Sequence, residues 1–258
     1  MEKTVRYLII LIFAFIAEMI DGGLGMGYGV SLTSFLLTIG FGTAVASAAV
    51  HMSEIFTTLA AGISHFKLGN INKKIFIYLS AFGSLGGAIG AYSAVKLQNI
   101  SVVKPIVSGI LLMLGLLIII KYLKRKSDIK YLDPRRRKIA ILGFFAAFVD
   151  AIGGGGWGPI ATPTLIAINT HPKKAIGSVN FAEFFVTLAI SITFFIMLPR
   201  IEWGIVIPMI IGGIIAAPIA ALIVRKLPHK AVGIGVGCMI ILLSIRTILK
   251  STGIGFFF

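Results

Sequence analysis

The chain has a single cysteine, Cys238, among 258 residues. That excludes an intramolecular disulfide, a CxxC redox pair and a cysteine metal cluster. Histidines number four, and none stands at ligand spacing from His51, so neither a metal nor any other cofactor is expected. Acids are scarce, nine against 24 Lys and Arg, and only 13% of residues are charged. No ATP-binding motif is present, which argues against a self-contained pump. The polar breaks are short and mostly lysine, arginine and proline. An enzyme working at a membrane surface needs its nucleophile, base and ligands in such loops, so no enzyme is expected.

Apolar side chains are abundant. They make up 57% of the chain, and mean hydropathy is +1.01. A soluble domain of this length has no interior large enough to hold them, so a bilayer is the natural solvent. The expected fold class is all-α, a polytopic protein of the cell membrane with one transmembrane domain over 1–258. A net charge of +15 would suggest nucleic acid on a soluble protein. Here nine of the 24 basic residues fall in 121–138, without a nucleic-acid motif or an aromatic platform beside them. The run reads as a cytoplasmic loop held by the positive-inside rule against anionic headgroups, with no nucleic-acid partner. Lys3, Arg6 and the apolar run 7–17 imitate a signal peptide. The same run has a counterpart in 139–149, and a duplicated segment belongs to the fold.

The duplication is explicit. Asp21-Gly22-Gly23-Leu24-Gly25-Met26-Gly27-Tyr28-Gly29 returns as Asp150-Ala151-Ile152-Gly153-Gly154-Gly155-Gly156-Trp157-Gly158, 129 residues later. Between 21–66 and 150–195, sixteen of 46 gapless positions are identical, where composition alone gives about four. Repeat one is assigned to 1–120, the basic loop to 121–138 and repeat two to 139–250.

Each repeat divides into five apolar segments, 5–20, 28–41, 44–66, 75–95 and 103–120, then 139–149, 157–168, 175–198, 203–224 and 231–249. A helix rises about 1.5 Å per residue and the hydrocarbon core is about 30 Å thick, so a span needs about 20 residues. The first two segments of each repeat fall short. They are joined by a glycine run with an acid at its start, which suits a re-entrant hairpin or a broken helix better than a lipid-facing one. Each repeat is therefore read as such a pair plus three transmembrane helices. Charge counts do not choose between parallel and inverted repeats. Inversion is preferred because it brings both glycine breaks to the midplane from opposite sides. The spacings Gly83/Gly87, Gly86/Gly90 and Gly233/Gly237 mark close helix packing, chiefly within the chain, and leave room for a homo-oligomer.

Five acids lie in or beside apolar segments: Glu18, Asp21, Glu54, Asp150 and Glu183. Four of these form matched pairs, Asp21 with Asp150 and Glu54 with Glu183. A charge at bilayer depth costs about 2.5–3.5 kcal/mol on insertion scales, so two matched pairs point to a function. Ser47, His51, Glu54 and Thr58 fall on one helical stripe, and the second repeat has Ile176, Asn180, Glu183 and Thr187 there. The stripe is a coupling or gating face, or else it locks the bundle by hydrogen bonds. Amides ahead of the helix that follows each break would hold an anion without any lysine. That assigns substrate binding to Gly25, Gly27, Tyr28, Gly29, Gly154, Gly155, Gly156, Trp157 and Gly158, with close packing as the competing role. Tyr28 and Trp157 gate the cavity or fill space.

Gly25, Gly27 and Gly29, then Gly153 to Gly158 with Pro159, and the stretches 47–54 and 177–183, resemble the sulfite exporter TauE/SafE family over about 5–249. The resemblance implies secondary transport of a small sulfur-containing anion such as sulfite or an organosulfonate. The acids Asp21, Asp150, Glu54 and Glu183 depart from the commoner pattern. They keep a second reading open, a cation- or proton-coupled transporter of another small solute.

Overall fold

The structure, a computed structural model, describes residues 2–39, 41, 43–96, 109, 112–113, 115–120, 123, 131–153, 156–197 and 202–251. Among these there is no strand. The helices are α1 (Glu2–Leu24), α2 (Tyr28–Thr38), α3 (Thr43–Lys67), α4 (Lys73–Lys96), α5 (Arg136–Gly153), α6 (Trp157–Ala167), α7 (Pro172–Met197), α8 (Trp203–Lys226) and α9 (His229–Ser251). Residues 115–120 are helical too. The rest of the expected segment 103–120, and most of the basic run 121–138, lie outside the described residues.

Four stretches are long and apolar enough to cross a bilayer: Val5–Leu24, Lys73–Val95, Pro172–Met197 and Trp203–Lys226. The first corrects the length argument. The apolar run ends near residue 20, but the helix continues through Asp21, Gly22 and Gly23, because glycine weakens a helix by only about 1 kcal/mol and packing offsets it. With 23 residues, α1 is about 34 Å long. The acids are therefore not at the start of the break: Asp21 and Asp150 sit inside the last turns of α1 and α5. The break proper begins at Gly25, whose φ of 70° and that of Gly27, 122°, are left-handed values that favour glycine.

Each helix pair α1/α2 and α5/α6 doubles back on itself. Arg6 donates to Ile39 O (3.4 Å) and lies over the Phe41 ring, so the start of α1 meets the end of α2. Leu132 N donates to Asn169 O (2.9 Å), so the chain before α5 meets the chain after α6. Around these hairpins the packing is reciprocal: α1 lies along α8 and α4 along α5, while α3 packs on α7 and α8, and α7 on α3 and α4. Helices α3 and α7 run antiparallel, since His51 meets Phe194, Gly62 meets Phe181 and His65 meets Asn180.

Polarity is arranged from the inside out. Leu8, Ile12 and Ile16 on α1, Ile77, Leu85 and Ile89 on α4, and Ile207, Ile211 and Ile215 on α8 are all about half exposed. In water, bare surface of this kind costs about 25 cal/mol per Å²; against acyl chains that cost is absent. Small residues face inward. Gly86 lies against Phe144 O, and a Cβ at Gly90 would stand 2.7 Å from Phe148 O. Gly212 meets Leu11 O. These close approaches join helices of one chain.

The described parts of the basic stretches 67–74, 121–138, 171–174 and 225–230 collect on one side. Lys74 Nζ reaches Asp133 (3.0 Å), Lys173 Nζ reaches Arg225 O (2.6 Å), and Lys174 Nζ reaches Gly69 O (2.7 Å) and Ile71 O (3.1 Å). The bond from Lys74, joined by one from Asn72, holds the Asp133 carboxyl below the usual range. Gly69, with φ 70°, and Asn169, also at 70°, turn the chain after α3 and α6, the left-handed position at which helices commonly end.

Candidate functional site

The two glycine breaks are in contact. Thr162 Oγ1, on α6, donates to Gly25 O at 2.7 Å. A Cβ built on Gly158 would lie 2.7 Å from both Gly25 O and Met26 Cα, and one on Gly25 would lie 2.7 Å from Thr162 Oγ1. No side chain fits between these backbones, so glycine at 25 and 158 is what lets the two hairpins touch. Gly154 and Gly155 lie outside the described residues.

Each aspartate folds back over its own break. Tyr28 N donates to Asp21 Oδ1 (3.2 Å), and Gly156 N donates to Asp150 Oδ1 (2.6 Å). An acid in the last turn of one helix thus serves the start of the next, where the helix dipole favours negative charge. The first helical bonds of α2 and α6 run from Ser31 N to Gly27 O and from Ile160 N to Gly156 O. The amides of Gly29, Val30, Trp157 and Gly158 therefore stand ahead of the ladder, among the donors a helix cannot satisfy for itself.

The aromatic residues after the breaks are packed. Tyr28 is 2% exposed and Trp157 1%. The Tyr28 hydroxyl stands 3.1 Å from Ser53 Oγ and donates to Met209 O (3.3 Å), and Trp157 Nε1 donates to Val179 O (3.3 Å). Both are bonded space-fillers in this conformation.

The polar stripe faces protein. His51, Glu54, Thr58, Asn180, Glu183 and Thr187 are all buried, while the side chain of Ser47 lies outside the described ones. Thr58 donates to Glu54 O, and Thr187 to Glu183 O (2.8 Å), so both hydroxyls are used on their own helices. His51 Nε2 lies 3.7 Å from Asp150 Oδ2, joining the stripe on α3 to the break of the other half. Asp21, Glu54, Asp150 and Glu183 are near enough for their charges to interact. Among the described residues, one Glu183 oxygen finds no hydrogen-bond partner.

Two residues that carried no assigned role belong to this region. Glu18 is 1% exposed, and its charge acts on Glu183. It was legible as an acid in an apolar run but had no matched partner to single it out. His65, fully buried, accepts from Asn70 Nδ2 at Nδ1 (3.1 Å) and donates from Nε2 to Gly22 O (3.0 Å). It ties α3 to the last turn of α1 beside the break. Its only sequence signal was a histidine near the end of an apolar helix.

Known proteins resemble this chain in sequence. The profile described as sulfite exporter TauE/SafE matches residues 10–247. The chain is 41% identical over 250 residues to "Probable membrane transporter protein YtnM" of Bacillus subtilis (strain 168), covering 93% of this chain and 83% of that protein. It is 28% identical over 182 residues to "Probable membrane transporter protein YdhB" of the same organism, covering 67% and 69%. No solved structure matches it. The chain belongs to the sulfite exporter TauE/SafE family and is a multi-pass membrane transporter.

Proposed function

We propose that the protein is a secondary transporter that exports a small sulfur-containing anion, sulfite or an organosulfonate, bound where the two glycine breaks meet. The contact between Gly25 O and Thr162 Oγ1 at 2.7 Å carries this reading. It brings two helix N-termini, each with amides ahead of its ladder, into one place shielded from lipid. Such termini hold oxyanions through backbone donors and dipoles, with no lysine needed. The glycines Gly25, Gly27, Gly29, Gly156 and Gly158 let backbone approach the solute. Glu54 and Glu183, with His51 and Asn180 beside them, form the coupling face.

Inverted repeats follow from the same reading. The antiparallel course of α3 and α7 supports it, since a pseudo-two-fold axis relating them would lie across the bundle. The hairpins then enter from opposite sides, and alternating access becomes a rocking of one half against the other. The basic side faces the cytoplasm by the positive-inside rule, with 121–138 against anionic headgroups.

A thermal-shift panel tests the substrate class, because a ligand that binds only the folded state raises the melting temperature. Sulfite and methanesulfonate should stabilise the purified protein, and uptake of labelled sulfite into proteoliposomes should saturate. The gathering of Asp21, Glu54, Asp150 and Glu183 favours a second reading, a transporter of a cationic solute. Stabilisation by cations alone would replace the first reading with that one.

A further inference from the structure

Glu18 differs from the other acids at membrane depth because it has no counterpart. The residue 129 positions later is Ala147. Thr57, which faces Glu18 from α3, corresponds to Val186. One half of the molecule thus places a carboxyl and a hydroxyl together where the other half places two apolar side chains. Glu18 is 1% exposed and Thr57 0%. Among the described residues, neither Glu18 oxygen has a hydrogen-bond partner other than the Thr57 hydroxyl, which lies within reach of the carboxyl.

Among the described residues, the groups around Glu18 offer it no positive charge; His65 on α3, bonded to Gly22 O one turn on, accepts at Nδ1 and is a neutral ring. Asp21 lies on the same helix, Tyr28 on α2, Glu54 on α3 and Glu183 on α7. Where α8 packs here it presents Ala217 and Ala220 beside Gly22, with Arg225 and Lys226 in its last turn. From α9 comes Gly235 against Leu24. A buried carboxylate with one hydroxyl as its partner is costly, and like charges around it add to the cost. One proton removes the buried charge and keeps the pair bonded, since a Glu18 O–H can then donate to Thr57 Oγ1. A metal cation would need several ligands, and among the described residues no three His, Cys, Asp or Glu side chains converge to hold one.

We propose that Glu18 is a proton-carrying group of the transporter, acting beside the coupling face of Glu54 and Glu183. Its carboxylate takes a proton from water when the site opens to one side and returns it to water on the other, with Thr57 as the bonding partner of the neutral form. The O–H bond forms and breaks on the same oxygen, and no electrons are exchanged. This rests on the transporter reading above, and it names the coupling ion.

Infrared spectroscopy of the purified full-length protein tests the protonation without any substrate. Near neutral pH the wild type should show the C=O absorption of a buried carboxylic acid, and Glu18→Gln should remove one carboxyl's share of it. Thr57→Val should keep that absorption but shift it, because the acid then has no acceptor. An unchanged spectrum in folded Glu18→Gln overturns the proposal. If that variant does not fold, an unshifted band in Thr57→Val does so. Proteoliposomes test the coupling with labelled methanesulfonate, whose sulfonate does not titrate in this range. Stimulation of its transport by an imposed pH gradient should be lost in Glu18→Gln, and stimulation retained would overturn the proposal. If wild-type protein moves neither sulfite nor methanesulfonate, the anion reading fails and the infrared result alone decides Glu18. Stabilisation by sodium over choline chloride, abolished by Glu18→Gln, would overturn the proton in favour of a sodium ion.

Discussion

Asn180 on α7 and His65 on α3 are joined across the two halves, their side-chain nitrogens 3.2 Å apart. Adding or subtracting 129 residues turns this pair into His51 and Phe194, which meet edge to face with ring centroids 5.8 Å apart. The same antiparallel crossing is thus built twice, once from polar groups and once from rings. With His65 Nε2–H donating to Gly22 O, Asn180 best turns its carbonyl oxygen toward that N–H, which gives Oδ1 the partner it otherwise lacks.

His65→Phe copies the residue found at 194 and should destabilise the protein. It leaves the Gly22 carbonyl and two buried asparagine amides short of a partner, at a cost of about 1–3 kcal/mol for each group so stranded. Asn180→Ala should cost less. In the double variant the two losses should not add, because the shared bond can be lost only once. Thermal unfolding of the three variants in detergent measures this, and strict additivity would show that the pair is not coupled.

Gly158→Ala should be among the most damaging single-methyl changes. The added carbon would stand 2.7 Å from Gly25 O and from Met26 Cα, both backbone atoms that cannot rotate away. Overpacking of this kind costs about 1–3 kcal/mol, and here it would also part the two breaks. Gly69→Ala is the control. Its φ of 70° is strained for alanine, at about 1–2 kcal/mol, but nothing lies within 4 Å of the new carbon. Gly158→Ala should abolish sulfite transport, while Gly69→Ala should only lower the melting temperature.

Glu54→Gln with Glu183→Gln should reduce transport at least tenfold while leaving folded protein. Glutamine keeps the shape and hydrogen-bonding capacity of a neutral acid but cannot exchange a proton, so packing is preserved and coupling is not. Uptake into proteoliposomes, set beside size-exclusion profiles, separates the two. Undiminished uptake in the double variant would remove these acids from the coupling face.

Asp133 supplies a pH test on the basic side. Its folded-state pKa is lowered by Lys74. The contribution of its ionised form is therefore complete above the carboxyl's ordinary range and is lost as pH falls through the lower folded value. Asp133→Asn should be slightly less stable near neutral pH, by no more than about 1 kcal/mol for so exposed a pair. The difference from wild type should close in strong acid, and adding salt should shrink it. Melting curves across pH check both.

Much of the site was legible because polar groups in an apolar chain are conspicuous. The matched pairs Asp21/Asp150 and Glu54/Glu183 could be picked out by their repeat, and spacing alone put His51, Glu54 and Thr58 on one stripe of their helix, with Asn180, Glu183 and Thr187 on another. Other features were hidden because their signal is weak in one dimension. The extension of α1 to Leu24 depends on Gly22 and Gly23 being held helical against α8, where a Cβ on Gly22 would lie 2.8 Å from Ala220 Cβ. The use of Asp21 and Asp150 on their own breaks depends on the chain turning back within seven residues. Glu18 looked unmatched until α3 brought Thr57 to it.

The sequence by itself determined the solvent, the duplication and which residues must avoid lipid, because hydropathy and spacing act locally and read directly along the chain. Tertiary structure alone decided that Gly25 meets Gly158 and Thr162, that His65 reaches both Gly22 O and Asn180, and that the acids of both halves share one interior. Those contacts join residues more than forty positions apart, and they arise only when antiparallel helices with small-residue faces close to backbone distance.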